Sequence, residues 1–165
     1  MKRILFVHII IIIAIGTFSF SEQEESLVFM FFSSTKCAHS TNEENIDAMK
    51  NIKQEFTEKY ARYDIKMLMV CFDNPFEESL ALVNRYGDWD EISLGQRYKN
   101  ELALRDLNES MLPAVPHLII YKDAYQPSER LKSIKIISTR KKLVDLIGFQ
   151  QINEWKMKGF PLDRP

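Results

Sequence analysis

A continuous apolar run at residues 27–32, Leu-Val-Phe-Met-Phe-Phe, most constrains what this chain can fold into. Successive side chains of a strand point to opposite faces of its sheet, so this strand needs apolar cover on both faces. A strand with one face in water would alternate apolar and polar residues instead. The run therefore predicts a central strand of a parallel or mixed sheet.

The rest of the pattern alternates helices with strands. Apolar residues at positions 46, 49, 52, 56 and 60 recur every three or four residues and predict an amphipathic helix. We predict further strands at 65–72, 118–121 and 131–137, and further helices at 76–86, at 94–107 and after a cap at Ser138 or Thr139. Because crossovers come first and a hairpin comes last, the fold class is α/β with a mixed central sheet flanked by helices.

The first 21 residues have the pattern of a secretory signal peptide. Lys2 and Arg3 precede an apolar run over 4–20, and small residues at 17, 19 and 21 suit cleavage. The alternative is an uncleaved single-pass anchor, since a run of this length is at the lower limit of the roughly 17–25 residues that cross a bilayer. We expect a secreted or extracellular protein, with membrane contact only if the leader is retained.

The remaining chain divides into three parts. These are an acidic N-terminal segment at 22–26, one domain at 27–150 and a C-terminal extension at 151–165. Asn108 begins an Asn-Glu-Ser sequon and is a candidate glycosylation site.

Charge and cysteine content exclude several classes of function. The chain has 22 Lys and Arg against 23 Asp and Glu, so its net charge of −1 gives no basic footprint for nucleic acid. Two cysteines cannot build a disulfide framework. No Cys-x-x-Cys pair or His spacing indicates zinc, and we expect neither a metal nor a cofactor.

Cys37 is the first candidate for chemistry, because it directly follows the apolar run and opens the predicted long helix. Unpaired backbone N–H groups and the positive end of the helix dipole favour a thiolate there. Lys36 adds a fixed positive charge, and His39 adds charge or a hydrogen bond unless it is an ordinary exposed loop histidine. The alternative for Cys37 is a buried, inert cysteine.

The second candidate is the segment Val115-Pro116-His117, immediately before a predicted strand. A proline at the start of a strand, after a branched residue, is compatible with a cis peptide, although trans is the commoner form. A cis turn would expose the backbone of Val115 for strand-like pairing with an extended substrate.

Together these features resemble the thioredoxin fold, a three-layer sandwich, and more narrowly its nucleoredoxin and tryparedoxin branch. The resemblance covers about residues 26–150. The matching elements are Phe32-Ser33-x-x-x-Cys37-x-x-Ser40, Cys71-Phe72-Asp73 with Phe76-Glu77-Glu78, Trp89, Val115-Pro116-His117-Leu118 and the hairpin–helix ending.

The resemblance implies that Cys37 is the nucleophile that attacks a client disulfide, while Val115, Pro116 and His117 bind the client. The second cysteine of the family motif is replaced by Ser40, so the motif is CxxS. The Ser40 hydroxyl can hydrogen-bond a thiolate but cannot expel a bound thiol.

A mixed disulfide on Cys37 must therefore be resolved by another thiol. The options are Cys71, glutathione or another external thiol, or a second cysteine of the client. For Cys71 the alternative is an ordinary core cysteine, which its apolar strand favours.

Two functions remain open at this level. The first is a thiol–disulfide oxidoreductase of weakened activity, with cysteine-containing proteins as its clients. The second is a catalytically silent binding module that retains the thioredoxin fold.

Overall fold

Five strands and four α-helices make up the part of the chain that the computed structural model describes, residues 24–73, 75–96, 99–107, 114–128, 130 and 134–162. The strands are β1 Glu25–Ser33, β2 Asp64–Cys71, β3 Glu91–Leu94, β4 His117–Pro127 and β5 Lys135–Ile147. The helices are α1 Ala38–Thr41, α2 Glu43–Lys59, α3 Phe76–Arg85 and α4 Gly148–Met157, and Ala103–Leu107 forms a π-helical turn. The predicted leader and Asn108 lie outside the described residues.

The sheet has the order β3-β2-β1-β4-β5. Strands β1, β2 and β3 are mutually parallel, whereas β4 is antiparallel to both β1 and β5. The mixed sheet predicted from the sequence is therefore confirmed. Ser33 is paired with Cys71 and Phe32 with His117, so the ends of β1 and β2 and the start of β4 share one edge of the sheet.

The apolar run is the central strand β1, and both of its faces are covered. Leu27, Phe29 and Phe31 face a core shared with α2, α3 and α4, and each is 0% exposed. Met30 and Phe32 face a second core, which includes Leu107 of the π-helical turn. These layers confirm that the sheet is flanked on both faces.

The predicted helix at 94–107 is wrong at its start and confirmed in its second half. Leu94 is the last residue of β3, where it pairs with Cys71, whereas residues 101–107 are helical and end in the π-helical turn Ala103–Leu107. Strand β3 escaped prediction because it has only four residues and lies at the sheet edge with Ile92 43% exposed.

The predicted cap at Ser138 or Thr139 is also wrong, since both residues lie within β5. A register shift pairs Ile120 with Val144 but Tyr121 with Lys142, so Leu143 is an extra residue in the strand. The bulge buries Leu143 and Val144 side by side, which imitates helical spacing.

The last helix, α4, begins at Gly148, whose φ of +79° suits glycine. The predicted domain boundary at residue 150 falls inside this helix. Ile152, Trp155 and Phe160 pack in the same core as β1, so the domain continues past that boundary. Among the described residues, no helix combines the length and apolar character needed to cross a membrane.

Candidate active site around Cys37

Cys37 lies in the loop after β1 and caps the short helix α1. Its carbonyl accepts hydrogen bonds from the N–H groups of Ser40 (2.9 Å) and Thr41 (3.1 Å). Its half-buried side chain points to the start of β4, where Sγ donates to the Val115 carbonyl oxygen at 3.3 Å. The structure therefore brings together the predicted nucleophile and the predicted client-binding backbone.

The long helix does not begin at Cys37, contrary to the sequence expectation. Helix α2 begins at Glu43, and Asn42 is its cap, with Oδ1 accepting from the Asn45 N–H at 3.1 Å. Cys37 instead precedes a helix of four residues, which supplies far less dipole than the 17-residue helix α2 would supply if it began at Cys37. The hydrogen-bond partner of the sulfur is the Val115 carbonyl oxygen, not a backbone N–H of a long helix.

Asp73 fastens the loop that carries Cys37 to the end of β2. Its carboxylate accepts from the Ser34 hydroxyl at 2.8 Å and from the Thr35 N–H. The Ser34 hydroxyl in turn accepts from the Lys36 N–H at 3.1 Å. The sequence signal for this role is the position of Asp73, two residues after the end of β2 and so close to the loop that carries Cys37.

A second set of contacts holds the other side of the loop. The buried Tyr86 hydroxyl donates to the Ser40 carbonyl oxygen at 2.7 Å, and Arg85 Nη2 donates to the Thr41 carbonyl oxygen at 2.8 Å. Burial raises the pKa of Tyr86, so its hydroxyl remains a donor. Helix α1 is thus fixed to the C-terminal end of α3.

Neither of the two predicted modulators of the sulfur, Ser40 and His39, forms a hydrogen bond with it. The Ser40 hydroxyl is buried and has no hydrogen-bond partner within the described part of the chain, so the expected bond to Cys37 is not formed. His39 is exposed, and its carbonyl oxygen accepts from Asn45 Nδ2 at 3.0 Å. Lys36 forms an exposed ion pair with Glu78 at 2.9 Å, which raises the pKa of Lys36.

The turn before β4 has the conformation that suits a presented backbone. The Val115–Pro116 peptide bond is cis, Val115 is half-buried, and the Pro116 carbonyl oxygen accepts from the Gly148 N–H at 2.8 Å. Since the β1–β4 ladder ends at the pair Phe32–His117, Val115 lies beyond that ladder.

His117 faces the interior rather than a client. Its side chain is 0% exposed, and Nε2 lies 2.6 Å from Asp145 Oδ1. Lys142 donates to the other carboxylate oxygen at 2.9 Å. The His117 hydrogen bond, followed by that of Lys142, lowers the pKa of Asp145 to about 2 against the opposing effect of burial. His117 therefore joins the start of β4 to β5 through Asp145. Because the His117 side chain is buried, it does not contact a client directly in this conformation.

Cys71 is a core residue. Both cysteines are free, and Cys71 is 0% exposed in the cluster that includes Met69 and Phe31. Burial raises the pKa of its thiol, which makes it a poor nucleophile. Of the two interpretations of Cys71, the structure matches the core cysteine. Within the described ranges, no three His, Cys, Asp or Glu side chains are grouped as a metal site would require.

The strand order, the cis turn and the cysteine in the loop after β1 agree with the thioredoxin-like α/β fold that the sequence resemblance implies. One solved structure similar to this chain is the thioredoxin domain of a thiol-disulfide oxidoreductase from Bacteroides vulgatus, with a TM-score of 0.48 and 12% identity over 81% of this chain and 79% of that chain. No protein-family model and no curated protein matches the chain.

Proposed function

We propose that this protein is a thioredoxin-like, nucleoredoxin-like thiol–disulfide exchange protein of the secretory pathway that acts through Cys37 alone. The observation that carries the proposal is the 3.3 Å contact between Cys37 Sγ and the Val115 carbonyl oxygen. Through this contact, a partly accessible thiol lies beside the backbone of Val115, which is beyond the last residue pair of the β1–β4 ladder. A client disulfide and the extended segment around it would bind at these two groups.

The chemistry is thiol–disulfide exchange, in which each step breaks one disulfide and forms another, so the thiol that resolves the mixed disulfide is the reductant. The Cys37 thiol loses its proton to solvent, and the thiolate attacks one sulfur of a client disulfide. A Cys37–client disulfide forms, and the second client sulfur leaves as a thiolate that takes up a proton. A further thiol must then attack the mixed disulfide and return Cys37 to its thiol form.

Formation of the mixed disulfide also changes which donor the Val115 carbonyl oxygen can accept a hydrogen bond from. The Cys37 sulfur then carries no proton and no longer donates to the Val115 carbonyl oxygen. That oxygen becomes an acceptor for a backbone N–H of the client, as in recognition by strand addition. Client binding to the backbone is therefore coupled to the covalent step.

The resolving thiol comes from outside the domain. The Ser40 hydroxyl does not resolve a mixed disulfide, and Cys71 is fully buried. Glutathione, another small thiol or a second cysteine of the client completes the cycle. Compared with a two-cysteine motif, we expect slower net disulfide reduction but intact thiol capture.

The second candidate function, a redox-silent binding module, is favoured by the hydrogen bonding around Cys37. The Cys37 thiol donates to a carbonyl oxygen, and the Ser40 hydroxyl forms no hydrogen bond with the sulfur. Alkylation of Cys37 by iodoacetamide distinguishes the candidates: rapid reaction at pH 6 supports exchange, whereas reaction only above about pH 8 supports the silent module.

The proposal is tested by incubating the folded protein with oxidised glutathione and measuring its intact mass. We expect one glutathione adduct on the wild type and on Cys71→Ser, and none on Cys37→Ser. Reduced glutathione should then remove the adduct. An adduct that persists in Cys37→Ser, or a wild-type protein that forms none, would contradict the exchange function.

A further inference from the structure

Strand β3 forms one edge of the sheet, and within the described ranges only β2 pairs with it. The N–H of Met67 in β2 donates to the Asp90 carboxylate at 2.7 Å, and the Met67 carbonyl oxygen accepts from the Asp90 N–H at 2.9 Å. Because these backbone groups alternate in direction along a strand, those of Met69 also point to β3, where Ile92 is its register partner. In a parallel ladder, such a residue bonds to the two neighbours of its partner. The N–H and carbonyl groups of Ile92 therefore point away from the sheet.

Three exposed apolar side chains lie beside this edge. Ile92, Phe76 and Leu80 are 43%, 54% and 37% exposed, and we call these three residues the β3 edge patch. The Ile92 side chain lies on the face of the sheet that carries α3, because its register partner Met69 belongs to the core against which α3 packs. Phe76 and Leu80 are four residues apart in α3 and so share one flank of that helix.

The flank of α3 that carries the patch faces away from α2. On the opposite flank, Arg85 forms an ion pair with Glu43 of α2 at 2.7 Å, and Glu78 forms one with Lys36 in the loop beside α1. Helix α3 also contacts both β2 and β3. The free flank of α3 therefore lies toward the outer side of β3, and the three patch residues face the same side of the domain.

The edge is neutral and has neither of the residues that most often prevent exposed strands from pairing. Lysine and proline blunt many natural sheet edges. Strand β3, Glu-Ile-Ser-Leu, contains neither, and its one charge, on Glu91, is compensated by Lys66 at 2.5 Å. The strand has only four residues, so a partner that pairs with it also needs contact with the apolar flank of α3.

We propose that the β3 edge patch joins two copies of this chain about a two-fold axis at Ile92. Antiparallel pairing of β3 with its copy places Ile92 opposite the same residue of the second copy. Each Ile92 then donates its outward N–H to the other carbonyl oxygen, so one register satisfies both strands. The apolar flank of each α3 also meets an identical apolar flank. A single added peptide strand would cover β3 but leave that flank in water, which favours a second copy as the occupant.

The dimensions of the sheet support this pairing. A helix centred over β2 and β3 lies about 5 Å from the proposed axis, and so about 10 Å from its copy, at the usual strand spacing of about 4.8 Å. Helices in contact pack about 8–10 Å apart. Because the paired strands are antiparallel, the two Cys37 sites lie at opposite ends of the joined sheet and both stay open. The pairing itself does not depend on the redox chemistry of Cys37.

The first test is disulfide crosslinking of the full chain in a mild detergent, in a Cys37→Ser background with copper phenanthroline as oxidant. I92C places the introduced sulfurs at paired positions whose Cα atoms lie about 5.5 Å apart, within the range of a disulfide. M157C is the control, since Met157 is 78% exposed and lies outside the patch. We expect about tenfold more covalent dimer from I92C than from M157C, because pairing raises the effective concentration of the I92C sulfurs. Equal crosslinking at the two positions would overturn the proposal.

Light scattering of the full chain is a second measurement that needs no new cysteine. We expect twice the mass of one chain for the wild type, and the mass of one chain for Ile92→Lys and for Phe76→Glu, which place charges in the patch. A dimer that persists in both variants would show that the interface lies elsewhere. A wild type with the mass of one chain, whose Ile92 amide is protected from exchange only when an extended peptide is added, would show that a peptide covers the edge instead.

Discussion

Replacement of Asp145 by Asn tests the buried contact that supports the turn beside Cys37. Asp145 accepts hydrogen bonds from His117 and Lys142, and its side chain is only 13% exposed. Asn retains the shape but loses the charge and one acceptor. The variant therefore removes the electrostatic part of the anchor while leaving the packing of β4 on β5 in place.

The size of the effect follows from the pKa of Asp145. The folded value is about 2 and the ordinary value 3.8, and each pKa unit is worth about 1.4 kcal/mol. We expect Asp145→Asn to lower the free energy of unfolding at pH 7 by about 2 kcal/mol. Because the pKa is lower in the folded state, this contribution is complete above about pH 4 and is lost as the pH falls toward 2.

Urea unfolding of both proteins at pH 7, 4 and 2.5 measures the difference. The difference in the free energy of unfolding between wild type and Asp145→Asn should be smaller at pH 2.5 than at pH 7. Asp47→Asn is the control, because Asp47 is in an exposed ion pair with Lys50 that contributes little. A difference in unfolding free energy that stays constant from pH 7 to pH 2.5 would show that the Asp145 charge does not stabilise the fold.

Three further substitutions test the packing around the site and the core. Tyr86→Phe removes the hydrogen bond to the Ser40 carbonyl oxygen and should cost about 1 kcal/mol in urea unfolding; an unchanged midpoint would remove the role given to this hydroxyl. Phe56→Ala, at a 0% exposed position, should cost about 3–5 kcal/mol by the same assay, and a loss below about 1 kcal/mol would contradict its core placement. Arg140→Ala leaves the Asp123 carboxylate, 1% exposed, without its bidentate partner. We expect calorimetry to show a free energy of unfolding lower by about 3 kcal/mol. An unchanged free energy of unfolding would show that water replaces Arg140 at this carboxylate.

The sequence predicts the centre of this fold better than its edges, for a physical reason. Strand β1 and helix α2 pack in the apolar core, so the spacing of their apolar residues predicts which side chains are buried. The edge strands β3 and β5 are half in water and carry mixed patterns. In β5 the bulge at Leu143 also breaks the alternation that marks a strand.

The candidate site divides in a similar way. The approach of Cys37 to Val115 is predictable, because both follow from the order of strands at one sheet edge. The inward orientation of His117 is not, since it depends on Asp145 from a strand that the sequence assigns to a helix. The start of α2 at Glu43 depends on the Asn42 cap, a local hydrogen bond that competes with a helix beginning at Cys37.

The most direct test of the central claim is nuclear magnetic resonance of the isotope-labelled protein joined through Cys37 to a short extended peptide. The shared site predicts nuclear Overhauser contacts between the peptide backbone and Val115, with a shift of the Val115 carbonyl resonance as the Cys37 hydrogen bond is replaced. A linked peptide that leaves the Val115 resonances unchanged and contacts another surface would contradict it.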